Sequence, residues 1–284
     1  RILSFAALFF VFQSLSGQNG GLLLSHYYDS SEIENQSWAI CQDDNNVMLF
    51  ANRRGILTFD GQSWNPIPIS TIPYSLKYNP RERRVYVGGD NNYGYLARDE
   101  MGIYRYYSIS GDSSSTGQIS RILFTDSTVY FYSEHSINRH NLKSGKLELR
   151  LRQKENEPFT GMFITPKNTF INVLSKGLYR LESDTLFPIV TGYLLENDEI
   201  LFSLPYNNNL VLLGKSNGDL SLFDGIKFYD YQIKDEGYLR QNQLSEGLSI
   251  SDSLYAFSTL YGGTLVVEKK SGKLKFTINY VNGL

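Results

Sequence analysis

The chain has 284 residues, 41% hydrophobic and 14% aromatic with 21 Tyr and 17 Phe, which excludes both a disordered segment and a small stapled scaffold. Lys plus Arg number 27 against 29 Asp plus Glu, a net charge of -2, so nothing draws this segment toward nucleic acid or anionic lipid. The one cysteine, Cys41, cannot form an internal bridge, and its place in an apolar strand predicts a buried, inert thiol.

Residues 1–17 read as a secretory signal peptide. Ile2 to Phe12 is an unbroken apolar run behind Arg1, followed by Gln13, Ser14, Ser16 and Gly17. Such a run suits the ~7–15-residue core of a signal peptide and falls short of the ~20 residues that span a bilayer. The expectation is therefore export to the periplasm or another extracytoplasmic compartment, with cleavage near Ser16 to Gln18. Residues 18–35 form a lead-in, in which Leu22 to Ser30 could supply an outer strand.

From residue 36 a unit of four short strands recurs six times. A small residue opens each third strand: Gly55, Gly94, Ser136, Gly177, Gly218 and Gly263, at spacings of 39, 42, 41, 41 and 45. A period of ~40–50 residues with four strands per unit predicts an all-β fold, a β-propeller. The six four-stranded blades fall at approximately 36–69, 74–109, 118–152, 158–190, 199–231 and 247–278. Residues 279–284 read as the start of a further blade, so the repeats look like part of a seven-bladed or larger array. Second strands such as NTFINVL (168–174) are almost continuously apolar, as expected between two neighbouring blades, whereas the outer strands alternate and carry charge. Asp60-Gly61, Asp224-Gly225, Ser144-Gly145 and Ser271-Gly272 supply the tight outer hairpins.

The segments 36–64 and 86–109 carry a resemblance. Ile40, Gln42, Asp43, Phe50, Ala51, Gly55, Ile56, Phe59 and Asp60 match a repeat with an inner strand ending in Gln-Asp and a Gly-Ile strand running into an aromatic and Asp. In this the chain resembles the two-component regulator propeller family, specifically in the first two units and generically after them; the Trp usual in the second strand is replaced by Phe50 or its equivalent. The resemblance implies the N-terminal sensor propeller of a triple-tyrosine-domain regulator of Bacteroidota. It also implies a downstream β-sandwich and membrane and output domains that this chain does not include. A glycan or other small ligand, and a homodimer of the full receptor, are the partners it implies. No catalysis is expected in this segment. The alternatives are a secreted protein-interaction scaffold and a glycan-active propeller enzyme.

In a propeller the loops between second and third strands share one face with the links between blades, and that face is the default binding surface. The candidate ligand-binding residues are Arg53, Arg54, Asn91, Asn92, Tyr93, Glu134, His135, Lys176, Lys215, Asn217 and Tyr261. Arg, Lys, Asn and Tyr can hydrogen-bond and stack on a sugar or hold a carboxylate, and each is equally an ordinary turn residue. No cofactor, metal site or catalytic set is predicted. Asp43 to Asn46 lacks the calcium-loop layout and reads as a turn; His26, His135 and His140 lie on separate elements. Trp38 and Trp64 read as packing residues between blades.

Overall fold

A computed structural model describes residues 36–111, 116–234 and 236–282. The expected signal peptide and the whole of the 18–35 lead-in lie outside them. Six four-stranded antiparallel sheets follow one another, each with its strands hydrogen-bonded in sequence order from the axis outward. The inner strands are Ser37–Gln42, Pro73–Asn79, Arg121–Phe124, Phe159–Ile164, Ile200–Pro205 and Leu244–Ser251. The fold is thus a β-propeller of six blades, as the period predicts.

Burial follows the strand order. The second strand of blade 4, Thr169–Val173, is buried throughout, and those of blades 2 and 3 nearly so. The outer strands are mostly exposed or half-buried. Five apolar clusters join consecutive blades from 1–2 to 5–6. Among the described residues no comparable cluster joins blade 6 to blade 1. The second strand of blade 6, Leu254–Thr259, is correspondingly less buried, and Leu248 on its inner strand is 63% exposed. Faces that would be costly to expose are therefore covered blade on blade, as in any stacked repeat.

The small residue that marks each repeat has a physical cause. Gly55 sits at φ 132° with its missing Cβ directed at the carbonyl oxygen of Ile67, and Gly263 at φ 80° faces the backbone of Ile278 and Asn279. The outer strand crosses too close for a side chain, and both positions need the left-handed region that glycine enters at least cost.

Three local features differ from the repeat. A short helix, Glu236–Gln241, is inserted between blades 5 and 6, and the last inner strand begins at Leu244 rather than 247. Tyr280–Asn282 form a 3-10 turn where the repeat predicts the start of another strand. Among the described residues no helix is long and apolar enough to cross a membrane.

Candidate functional site

The loop face gathers the second-to-third-strand loops around one mouth of the central channel, but it does not gather the candidate residues into one site. Arg53 and Arg54 line an open depression of about 410 Å³ with Ser70, Thr71 and Asp90. Asn91 is committed to the backbone: its side-chain oxygen accepts the amide of Gly117 at 2.9 Å. Asn92 accepts hydrogen bonds from Tyr106 at 2.9 Å and Ser108 at 3.0 Å. Glu134 and His135 pair with each other at 3.1 Å, and Lys176 reaches Glu157 at 3.5 Å. Lys215 lies between Asp198 and Asp219, at 3.7 and 3.8 Å, and Asn217 closes its own turn on the amide of Asp219. Tyr261 is 74% exposed beside the exposed Leu260.

Tyr93 requires a correction. It is fully buried, stacked on Phe131 at 4.1 Å, with its hydroxyl 3.0 Å from Nε2 of His140. Its position at the head of the third strand turns the ring into the blade 2–3 interface, so it is a core residue and offers nothing to a ligand on the loop face.

The channel holds a second set of groups. The six inner strands carry three charged side chains between them: Lys77 in blade 2, Arg121 in blade 3 and Glu246 in blade 6. Blades 2 and 6 share no packed cluster, so the mutual influence of Lys77 and Glu246 acts across the channel. Both keep exposed surface while standing amid protein atoms, the situation of groups lining a narrow wet passage. Burial depresses the pKa of Lys77 against the opposing pull of Glu246. Burial raises that of Glu246, opposed by the Gly247 amide, Arg121 and Lys77. Arg121 also donates a 2.6 Å hydrogen bond from Nη1 to the carbonyl oxygen of Ile200, tying the inner strands of blades 3 and 5 past blade 4.

A further concavity lies at the other mouth, among the turns between first and second strands. It measures about 690 Å³, and its lining runs from Asn79 and Arg81 in blade 2, through Phe124 and Lys167, to Asn207 in blade 5. Lys77 stands on the same strand face as Asn79, with its ammonium 5.8 Å from the centre of the Phe124 ring, itself part of the cavity wall. Loop reasoning missed this mouth because its turns are short. The channel groups did have a legible signal, charge on an inner strand at Lys77 and Arg121. Among the described residues no group of three or more His, Cys, Asp or Glu could hold a metal.

No protein-family model matches the chain, and no curated protein does. Solved structures match in fold. The WD40 β-propeller domain of Doa1 superposes with a TM-score of 0.66 at 13% identity, covering 87% of this chain and 83% of that one. The extracellular domain of a putative hybrid two-component system from B. thetaiotaomicron gives 0.65 at 15% identity, covering 90% of this chain and 34% of that one. Virginiamycin B lyase from Staphylococcus aureus gives 0.61 at 12% identity, covering 83% of each. At such identities the likeness shows the propeller fold alone, a class whose functions differ with their loops.

Proposed function

We propose that this propeller is the extracytoplasmic, ligand-receiving part of a signalling receptor or transcriptional regulator and carries no catalytic duty of its own. The observation that carries this reading is the fold's likeness to a two-component extracellular domain, about a third of which the chain spans. The Gln-Asp and Gly-Ile motifs of blade 1 add to it independently. A wet, charged channel with a cavity at one mouth gives such a receptor a place for a small ligand. The downstream β-sandwich and output domains belong to this proposal, as does a homodimer of the full receptor.

Two measurements test it together. A phosphatase fused after Leu284 is expected to be active outside the cytoplasm only when residues 1–17 are present. In a thermal-shift screen of neutral and charged saccharides and small acids, a true ligand is expected to raise Tm by about 2 °C or more. Failure of export overturns the reading. A chain that is stabilised by no small molecule but forms a stable complex with a protein is instead an interaction scaffold.

A further inference from the structure

At the seam between blades 4 and 5 the outer rim of the propeller turns apolar. The link that leaves blade 4 holds Val190 91% exposed, with Tyr193 and Leu194 exposed just beyond it. The outer hairpin of blade 5 leans against this link, because Thr191 donates a 2.6 Å hydrogen bond from Oγ1 to the carbonyl oxygen of Ile226, itself 65% exposed. Exposed Phe187, on the outer strand of blade 4, pairs with Arg180, and Arg180 with Phe170, so Phe187 and Phe170 share a sheet face. That face looks toward the same hairpin, since a Cβ on Gly225 would stand 3.9 Å from the Phe170 ring. Ile189, Leu195 and Phe228 from these same segments already pack on the blade 4–5 cluster. The exposed side chains are therefore surplus to the core.

The repeat shows that this is a local choice. After the glycine of the outer hairpin stand Gln62 in blade 1, Lys146 in blade 3 and Lys273 in blade 6, where blade 5 has Ile226. Blade 2 shows Met101 and Ile103, but no exposed large apolar residue of the link before it joins them. At ~150–250 Å² for a large side chain, Phe187, Val190, Tyr193, Leu194 and Ile226 leave roughly 600 Å² of apolar surface in water. This reaches the top of the ~300–600 Å² range for the largest patch on a typical monomer. With the exposed Pro188, Asp224 and Lys227 beside it, the area approaches the ~800 Å² that each partner buries in a standard interface.

Charge decides which partner fits. Asp224 and Lys227 bracket Ile226 in the hairpin, and neither forms a salt bridge among the described residues. Two copies related by a two-fold axis at Ile226 run their hairpins antiparallel, so Asp224 of each copy meets Lys227 of the other and the pair forms twice. The hairpin is held for this contact in advance. Asp224 Oδ1 accepts the amides of Ile226 and Lys227 at 2.8 and 2.7 Å, and Thr191 fixes the Ile226 carbonyl, so little ordering is left for association to impose. We infer that the outer rim of the blade 4–5 seam is a dimer interface whose occupant is a second copy of this chain. The assignment rests on the receptor reading above and gives its homodimer a surface.

The test is sedimentation velocity of the full chain over roughly 1–100 μM, where a dimer that dissociates on dilution is expected. Ile226→Lys copies the residue at the matching place in blades 3 and 6 and sets two cations together at the axis. It is expected to weaken the dimer about tenfold or more with Tm unchanged. Lys227→Glu places carboxylate against carboxylate twice and is expected to weaken it about tenfold. Adding Asp224→Asn, which keeps a side-chain acceptor for the turn, is expected to recover most of that loss. This pair decides the matter if Ile226→Lys lowers Tm. A monomer at every concentration overturns the assignment, even if the face then captures a different protein. A dimer indifferent to Ile226→Lys overturns it too and moves the contact elsewhere, as to the exposed Leu248 face of blade 6. A Lys227→Glu loss that Asp224→Asn does not relieve overturns the two-fold pairing on which the assignment depends. In each case the export and thermal-shift tests of the receptor reading stand unchanged.

Discussion

The hydroxyl of Tyr104, on the outer strand of blade 2, donates a 2.6 Å hydrogen bond to the carboxylate of Asp43 in the first turn of blade 1. The same carboxylate oxygen accepts Arg98 at 2.7 Å, and the guanidinium lies 4.3 Å from the Tyr104 ring centre. The other oxygen accepts the amides of Asn45 and Val47 at 2.9 and 2.8 Å. Asp43 is thus a turn residue, as the sequence suggests, and also the latch between two blades. Burial pushes its carboxyl pKa up, but the bonds from Tyr104, Arg98, Val47 and Asn45 outweigh this and hold it below the usual range.

Breaking that latch has a cost and a pH signature. Asp43→Ala leaves Arg98 partly buried without its partner and is expected to cost about 2–3 kcal/mol in urea unfolding, whereas Tyr104→Phe costs about 1 kcal/mol. Because the folded pKa is depressed, the stabilisation is present above the unfolded value near 3.9 and is lost as pH falls through the folded one. The acid limb of stability against pH should therefore flatten in Asp43→Ala.

Asn172 is a polar residue in the most apolar strand of blade 4. Its side-chain nitrogen lies 2.8 Å from Oγ1 of Thr160, 2.9 Å from the carbonyl oxygen of Leu195 and 2.8 Å from that of Asp198. It pins the link that carries the chain from blade 4 to blade 5. Asn172→Leu is expected to cost about 1–3 kcal/mol, since carbonyls inside the fold lose their donor. Amide exchange in 192–198 should accelerate before that of the blade 4 strands.

The blades were legible because their requirement is local and periodic. Each apolar second strand must be covered on both faces, and the outer strand approaches Gly55 and Gly263 too closely for any side chain. Asn172 and Tyr93 were not legible in role, because both depend on which side of a sheet the residue faces and on what the next blade brings to it. The loop-face residues could be placed on their loops, yet their bonds to Gly117, Asp198 or Glu157 come from chain links of irregular length. At the channel, Lys77 and Arg121 were visible as charges on inner strands. Glu246 was not, because the last inner strand begins three residues earlier than the repeat suggests.

Glycine at 247 serves packing between blades 5 and 6. A Cβ there would enter the ring of Phe202, which meets Gly214 on its own blade and stacks on Phe257 at 5.9 Å. Gly247→Ala is expected to cost about 1–3 kcal/mol through overpacking. Phe202→Leu combined with Gly247→Ala should recover part of that loss, giving a non-additive double-mutant cycle in chemical denaturation. Additive losses would show that the two residues do not share the space.

His140 makes the stability of the blade 2–3 interface depend on pH. Its Nδ1 lies 3.1 Å from the carbonyl oxygen of Gly145, which can only accept, so Nδ1 carries the proton and Nε2 accepts the hydroxyl of Tyr93. Burial depresses the imidazole pKa, with the Gly145 bond and Glu148 opposing and Arg150 assisting. A protonated ring would place a second donor against Tyr93, forcing the hydroxyl to turn. Since the unfolded chain takes up a proton near pH 6.5 and the folded one only lower, the unfolded state binds more protons between these values. Stability is then full above about pH 6.5 and falls as pH drops toward the folded value. His140→Gln is expected to remove this slope between pH 7 and 5 in urea midpoints, and Tyr93→Phe to lower stability by about 1 kcal/mol at pH 7. A slope that survives His140→Gln unchanged would assign the titration to another group.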